Sequence, residues 1–217
     1  MKKICSIICL MLALAITGCG VTVGNISGHG IVDEKFMVHS LPWGEKWENI
    51  KDTSILTSAQ TIIDDGNRFA VEIAETEFLG LKGRMVLEFS ESENAFPASG
   101  LTNIYFAYEE QQEQSLLEQG EKIYGERKNY FLDKNGVENP LNPPSWYSAQ
   151  NIENSLTEEE EEHFRKILKD KNVEETRADA ILRGPLVVIS VNEDDNIVTI
   201  SGNKAAEVKN LREGNIN

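Results

Sequence analysis

Cysteine is confined to the start of this 217-residue chain. Its three cysteines, Cys5, Cys9 and Cys19, all lie within the first 19 residues, and residues 20–217 contain none. That absence excludes disulfide bonds, thiolate metal ligands and cysteine nucleophiles from the whole of the longer part. Stability there must come from a hydrophobic core, and a stretch of this length is enough to bury one.

Motifs that carry chemistry are also scarce. His29, His39 and His163 stand alone, without the paired spacings that bind zinc. No Gly-x-Ser-x-Gly elbow occurs, and the glycine-rich residues 20–35 lack the lysine of a phosphate loop. The acidic groups at 133–138, 158–162 and 192–196 lack the spacing of a calcium-binding EF-hand loop. We therefore predict no catalytic, cofactor-binding or metal-binding residue.

What is present begins with an export signal. Two lysines, at positions 2 and 3, precede an apolar run from Ile4 to Ile16, which is shorter than the ~20 residues that span a bilayer. The sequence Ile16-Thr17-Gly18-Cys19 follows, and it resembles the lipobox of bacterial lipoprotein precursors. The resemblance implies that residues 1–18 are cleaved off and that Cys19 takes a diacylglyceryl group. The lipid would then anchor the chain on the extracytoplasmic side of the cell membrane.

Cations are in a clear minority, with 21 Lys and Arg against 36 Asp and Glu, a net charge of −15. Cleavage after Gly18 would remove two lysines and leave 19 cations against the same 36 anions, a net of −17. This charge disfavours nucleic acid, whose phosphates need neutralising. It also disfavours direct adsorption to an anionic membrane, so we expect membrane attachment through the Cys19 lipid alone.

The remaining chain divides into three predicted parts. Glycine-rich residues 19–35 predict a flexible tether, residues 36–202 a single globular domain, and residues 203–217 a polar tail that is a weak helix or disordered. Alternation of apolar and polar residues predicts a three-strand antiparallel meander at 69–73, 85–89 and 101–108. Helices are predicted at 43–50, 115–124, 155–170 and 176–182, and a hairpin at 186–201. The predicted fold class is α+β, a mostly antiparallel sheet with helices packed on one face.

A second resemblance covers residues 41–125. Trp43-Gly44 opening a short helix, the meander, and a helix ending at Tyr124-Gly125 are similar in outline to α+β units of the β-lactamase inhibitor protein and of uncharacterised envelope lipoproteins. These motifs are short. The resemblance implies a binding or assembly role, and it carries over no functional residue.

Trp146 and Tyr147 are the one candidate for partner contact. They lie beside two prolines in the irregular stretch 126–150. Exposed Trp and Tyr dominate many interfaces, and long irregular segments often carry function. The alternative is that both rings pack against the edge of the sheet.

Together these features favour a non-enzymatic lipoprotein that binds or scaffolds another envelope component, either a protein or a polymer. Two alternatives remain open. One is an envelope hydrolase that uses a pair of carboxylates, which are abundant in this sequence. The other is a small-ligand receptor, for which the mature chain is short.

Overall fold

A computed structural model describes residues 32–66, 68–90, 99–129 and 144–214. Seven strands form one sheet in the order β1-β2-β3-β4-β7-β6-β5, and every neighbouring pair is antiparallel. The strands are β1 Gln60–Asp64, β2 Arg68–Phe78, β3 Leu81–Ser90, β4 Gly100–Ala107, β5 Ser145–Tyr147, β6 Val188–Asn192 and β7 Ile197–Ser201. The α-helices are α1 Trp47–Ile50, α2 Glu113–Tyr124, α3 Ile152–Ser155, α4 Glu158–Asp170, α5 Glu175–Arg183 and α6 Asn203–Arg212. The predicted signal peptide and the lipobox-like residues 16–19 lie outside the described residues.

The predicted meander is confirmed, since β2 pairs with β3 and β3 with β4. Successive side chains on a strand point to opposite faces of the sheet. The pairing register therefore aligns one inward row across six strands, and each member is at most 1% exposed: Val71, Leu87, Ile104, Ile200, Ile189 and Trp146. This row is the middle of the hydrophobic core.

The helices close the core on that inward side. Helix α2 ends before Gly125, as predicted, and α4 begins at a capping box in which the Thr157 hydroxyl accepts from the Glu160 N–H. Leu116 of α2, Phe164 of α4 and Leu182 of α5 are all fully buried in the same core as the strand row. The α+β class predicted from the sequence is confirmed.

Helix α6 corrects the prediction of a polar tail at 203–217. All seven residues from 205 to 211 are buried, because the helix contacts β4 on one side and α3 and α4 on the other. Its sequence looks polar because three of these buried residues, Glu207, Lys209 and Asn210, have polar or charged side chains. Such side chains are buried at lower cost where they have partners. The Lys209 Nζ, for example, lies 3.0 Å from a carboxylate oxygen of Glu45 and 3.0 Å from one of Glu213.

The globular part also starts earlier than the predicted boundary at Phe36. Val32, within the predicted tether, is only 8% exposed and belongs to the hydrophobic core. Asp33 then caps a short 3-10 helix, Glu34–Phe36, by accepting a hydrogen bond from the Lys35 N–H. An apolar side chain followed by a capping residue is enough to dock this segment, despite the glycines that precede it.

Candidate binding surface

Trp146 lies in the core. It is 1% exposed, its Nε1–H donates to the Gly125 carbonyl over 2.8 Å, and its ring centroid lies 5.6 Å from that of Tyr124. Gly120 of α2 makes room for the indole, since a Cβ there would come within 2.3 Å of the ring. The alternative of packing at the sheet edge is thus confirmed for Trp146, and its prediction as a partner contact is wrong.

Tyr147 has the opposite orientation. It follows Trp146 in β5, so strand alternation turns it to the other face of the sheet, where it is partly exposed. Its cross-strand partner is Val188, which is also partly exposed. Of the two predicted contact residues, Tyr147 alone reaches the surface.

Tyr147 belongs to a wider surface, which we call the outer face: the outward positions of β4, β7, β6 and β5. Ten of its eleven residues are at least partly exposed, Ser145 being the exception, and none is charged. By contrast, 26% of the whole chain is charged. The outer face consists of Asn103, Tyr105, Ala107, Ile197, Thr199, Ser201, Val188, Ser190, Asn192, Ser145 and Tyr147.

Hydrogen bonds fix the outer face at its β4 side. The Tyr105 hydroxyl donates to Glu88 of β3 over 2.8 Å, and the Asn103 amide donates to the same carboxylate oxygen over 3.1 Å. Burial and the Glu88 carboxylate together raise the pKa of Tyr105 to about 12. The phenol therefore stays protonated and keeps donating across the physiological pH range.

Hydroxyl groups dominate the middle of the outer face. The Ser145 and Ser190 hydroxyls lie 2.8 Å apart, whereas the Thr199 hydroxyl has no hydrogen-bond partner in the described residues. Ser190 and Thr199 line a shallow depression of ≈ 560 Å³, which Asp194 and the ion pair of Arg127 with Glu193 at 3.2 Å also line. The strand residues of this depression thus offer uncharged hydrogen-bonding groups, whereas its charges come from Arg127 and from the β6–β7 turn.

The prediction of no catalytic residue overlooked Ser201 and Lys204, which have the Ser-x-x-Lys spacing of some serine hydrolases. In the fold the Ser201 hydroxyl accepts from the Asn203 amide over 2.9 Å, and no hydrogen bond joins Ser201 to Lys204. Burial lowers the pKa of Lys204, but a base must reach its nucleophile to activate it. The pair therefore forms no catalytic dyad in this arrangement.

The histidines and acidic groups considered from the sequence form no joint site among the described residues. His163 is exposed on α4, and the His39 Nε2 lies 3.2 Å from the Thr76 hydroxyl. At the β6–β7 turn, the Asn192 amide donates to Asp195 over 2.6 Å, which is turn chemistry. Across the described ranges, no group of three or more His, Cys, Asp or Glu could hold a metal ion. His29 and residues 133–138 fall outside those ranges.

Compared with protein-family models, curated proteins and solved structures, the chain matches none. The outline resemblance over residues 41–125 therefore stays an expectation. Within the part of the chain that the structure describes, no helix has the length and apolar character needed to cross a bilayer.

Proposed function

We propose that this protein is a non-enzymatic lipoprotein, anchored through Cys19 on the extracytoplasmic side of the cell membrane, that binds another envelope protein with its outer face. The observation that carries the proposal is the absence of charge from eleven outward positions on four strands, in a chain of net charge −15. A solvated face of so acidic a protein would be expected to carry several carboxylates.

The composition of the outer face suits a protein partner. The centres of protein interfaces are enriched in tyrosine and depleted in Lys, Glu and Asp, and also in serine and alanine. The outer face has the tyrosines and the lack of charge, and it departs from this composition in its three serines and one alanine. Tyr105 and Tyr147 supply two aromatic rings with polar ends, and the serine and threonine hydroxyls can pair without the cost of desolvating a charge. Because these residues stand on a hydrogen-bonded sheet, little backbone entropy is lost on binding.

Charged residues border the outer face and suit the rim of an interface. Glu88 of β3 lies on one side. On the other side Lys128, which is exposed, pairs with Ser145 beyond the edge of β5. Rim charges mainly steer association and select partners rather than supply affinity. We therefore expect the partner's complementary surface to have a neutral, polar centre.

The hydrolase alternative has weaker support. A catalytic acid usually needs a raised pKa and contact with a cleft. Among the described carboxyls, burial raises the pKa of Glu207, to about 7, but this side chain is 4% exposed within α6. A substrate could not reach it without opening the core.

Site-specific photocrosslinking in the protein's own cells tests the proposal. A photoreactive amino acid at Ser190 should give one discrete protein adduct, and the same amino acid at Lys166, an exposed residue of α4, should give none. Equal adducts from both positions, or none from Ser190, would contradict it. An adduct of twice the chain mass would make the partner a second copy, and a polydisperse adduct would make it a polymer.

A further inference from the structure

A second cleft lies away from the outer face, at the end of the sheet where β1 ends and β2 begins. Its volume is ≈ 450 Å³, within the range of about 300–1,000 Å³ that small-molecule sites occupy. We call it the Trp47 cleft; the lining residues that matter for recognition are Lys46, Trp47, Asp64, Phe69, Phe89 and Ser90.

Three aromatic rings form its floor. Trp47 lies 5.6 Å from Phe69 and 5.8 Å from Phe89 between ring centroids. The two phenylalanines are 9% and 2% exposed, whereas Trp47 is partly exposed. The aromatic surface that a ligand can touch is therefore mainly the indole of Trp47, supported from below by the other two rings.

Backbone and ionic contacts hold this floor in place. The Gly44 N–H donates to the Leu101 carbonyl over 2.8 Å, and the Leu101 N–H donates to the Glu45 carbonyl over 2.9 Å. The buried Glu45 carboxylate then pairs with Lys209 of α6 at 3.0 Å. Trp47 follows two residues later, so its position is fixed before any ligand arrives.

The charges at the rim balance. Lys46 and Asp64 are exposed and opposite in sign, and neither makes an ion pair or side-chain hydrogen bond within the described ranges. Glu48 also lines the cleft, but it pairs with Lys51. The Ser90 hydroxyl is likewise without a hydrogen-bond partner among the described residues. The rim thus offers a donor, an acceptor and a hydroxyl with little net charge.

We propose that the Trp47 cleft binds a neutral pyranose unit of a glycan. A pyranose ring has one face of C–H groups, which packs on an aromatic ring, and a rim of hydroxyls that need both donors and acceptors. The Trp47 indole supplies the aromatic ring for the C–H face. Lys46, Asp64 and Ser90 supply the donors and acceptors for the hydroxyls. A purely apolar ligand would leave these polar groups unused, and a singly charged ligand would meet one rim charge of its own sign. A zwitterion could pair with both rim charges, and a titration with glycine separates that ligand class from a sugar.

Tryptophan fluorescence of the full-length chain tests this inference, because the other two tryptophans, Trp43 and Trp146, are 4% and 1% exposed. Cellobiose, maltose and N,N′-diacetylchitobiose would be titrated to about 10 mM, since weak single-site binding has mM dissociation constants. A polyoxyethylene detergent avoids competition from glycoside detergents. We expect saturable emission changes with at least one sugar. No saturable change with any of the three would overturn the inference.

Variants test whether the change in tryptophan emission comes from the Trp47 cleft. Trp47→Leu should remove it, and Asp64→Ala should weaken binding at least tenfold, while Asp52→Ala, an exposed carboxylate outside the cleft, should leave it unchanged. If Trp47→Leu does not fold, Asp64→Ala and Lys46→Ala decide, because both side chains are exposed. A fluorescence response to sugar that persists in these variants would contradict a sugar site. So would a titration with glycine that gives the same response in the wild type and the same losses in the variants. The Ser190 crosslink tests the outer face separately.

Discussion

Trp146 and Tyr147 are adjacent in β5, but their side chains meet different surroundings. The indole is 1% exposed and hydrogen-bonded to Gly125, whereas the phenol lies on the outer face. Trp146→Ala should therefore lower the free energy of unfolding by about 3–5 kcal/mol, the usual loss for a buried aromatic ring. Tyr147→Ala should cost about 1 kcal/mol or less. Urea denaturation of both variants measures the difference, and equal losses would contradict the assignment of faces.

Glu207 predicts a pH dependence of stability. Burial raises its pKa from 4.5 to about 7, and nearby Lys204 only partly offsets this. The folded state then holds a proton that the unfolded state has lost, so stability falls as pH rises between about 4.5 and 7, by a few kcal/mol. Glu207→Gln should flatten this decline in urea titrations at pH 5 and pH 8. Exposed Glu162→Gln is the control, and parallel curves for all three proteins would contradict the prediction.

At the scale of elements, a buried ion pair joins α6 to the segment that precedes α1. Lys209 is 3% exposed and its partner Glu45 is 8% exposed. Lys209→Ala would leave that carboxylate buried without its cation, a change that costs about 3–5 kcal/mol in comparable pairs. Urea denaturation measures the loss.

Two further variants make the Lys209 test specific. The double variant Glu45→Gln with Lys209→Met should recover part of the lost stability, because no charge then stays buried. Lys122→Ala, an exposed lysine of α2, is the control and should have little effect. A Lys209→Ala protein as stable as the Lys122→Ala protein would show that the ion pair does not hold α6.

The strongly patterned elements could be predicted from sequence. Strands β2 to β4, the β6–β7 hairpin and helices α2, α4 and α5 bury one face or one stripe, and that periodicity is visible in the chain. Strand β1 lacks it, since four of its five residues are exposed and a bulge interrupts its pairing. Helix α6 was predicted only as a weak helix or a disordered tail, because it is buried on all sides and so shows no amphipathic stripe.

Neither candidate site could be assembled from sequence. The outer face combines residues near 105, 147, 190 and 199, and only the sheet order β4-β7-β6-β5 brings them together. Adjacent residues of a strand face opposite sides of the sheet, but the surrounding prolines favoured a loop, so Trp146 and Tyr147 were predicted to share one environment. The Trp47 cleft likewise depends on where β1 ends, and β1 was not predicted.

At the scale of the whole molecule, the lipid anchor stays a prediction. Cys19→Ala should abolish incorporation of a fatty-acid analogue, because residues 20–217 offer no other thiol. Cys5→Ala, within the predicted signal peptide, is a matched control and should keep the label. Metabolic labelling followed by in-gel detection makes the comparison. Equal labelling of Cys19→Ala and the wild type would contradict the lipobox assignment.

The central claim is that the uncharged outer face binds a protein partner, and a single introduced charge tests it most directly. Thr199 is partly exposed at the middle of this face, in the same depression as Ser190. Thr199→Glu should abolish the adduct formed from Ser190 in cells while leaving the melting temperature nearly unchanged, because a charge without a partner is costly to desolvate. Lys166→Glu on α4 should leave the adduct intact. Undiminished crosslinking in a folded Thr199→Glu protein would contradict the account.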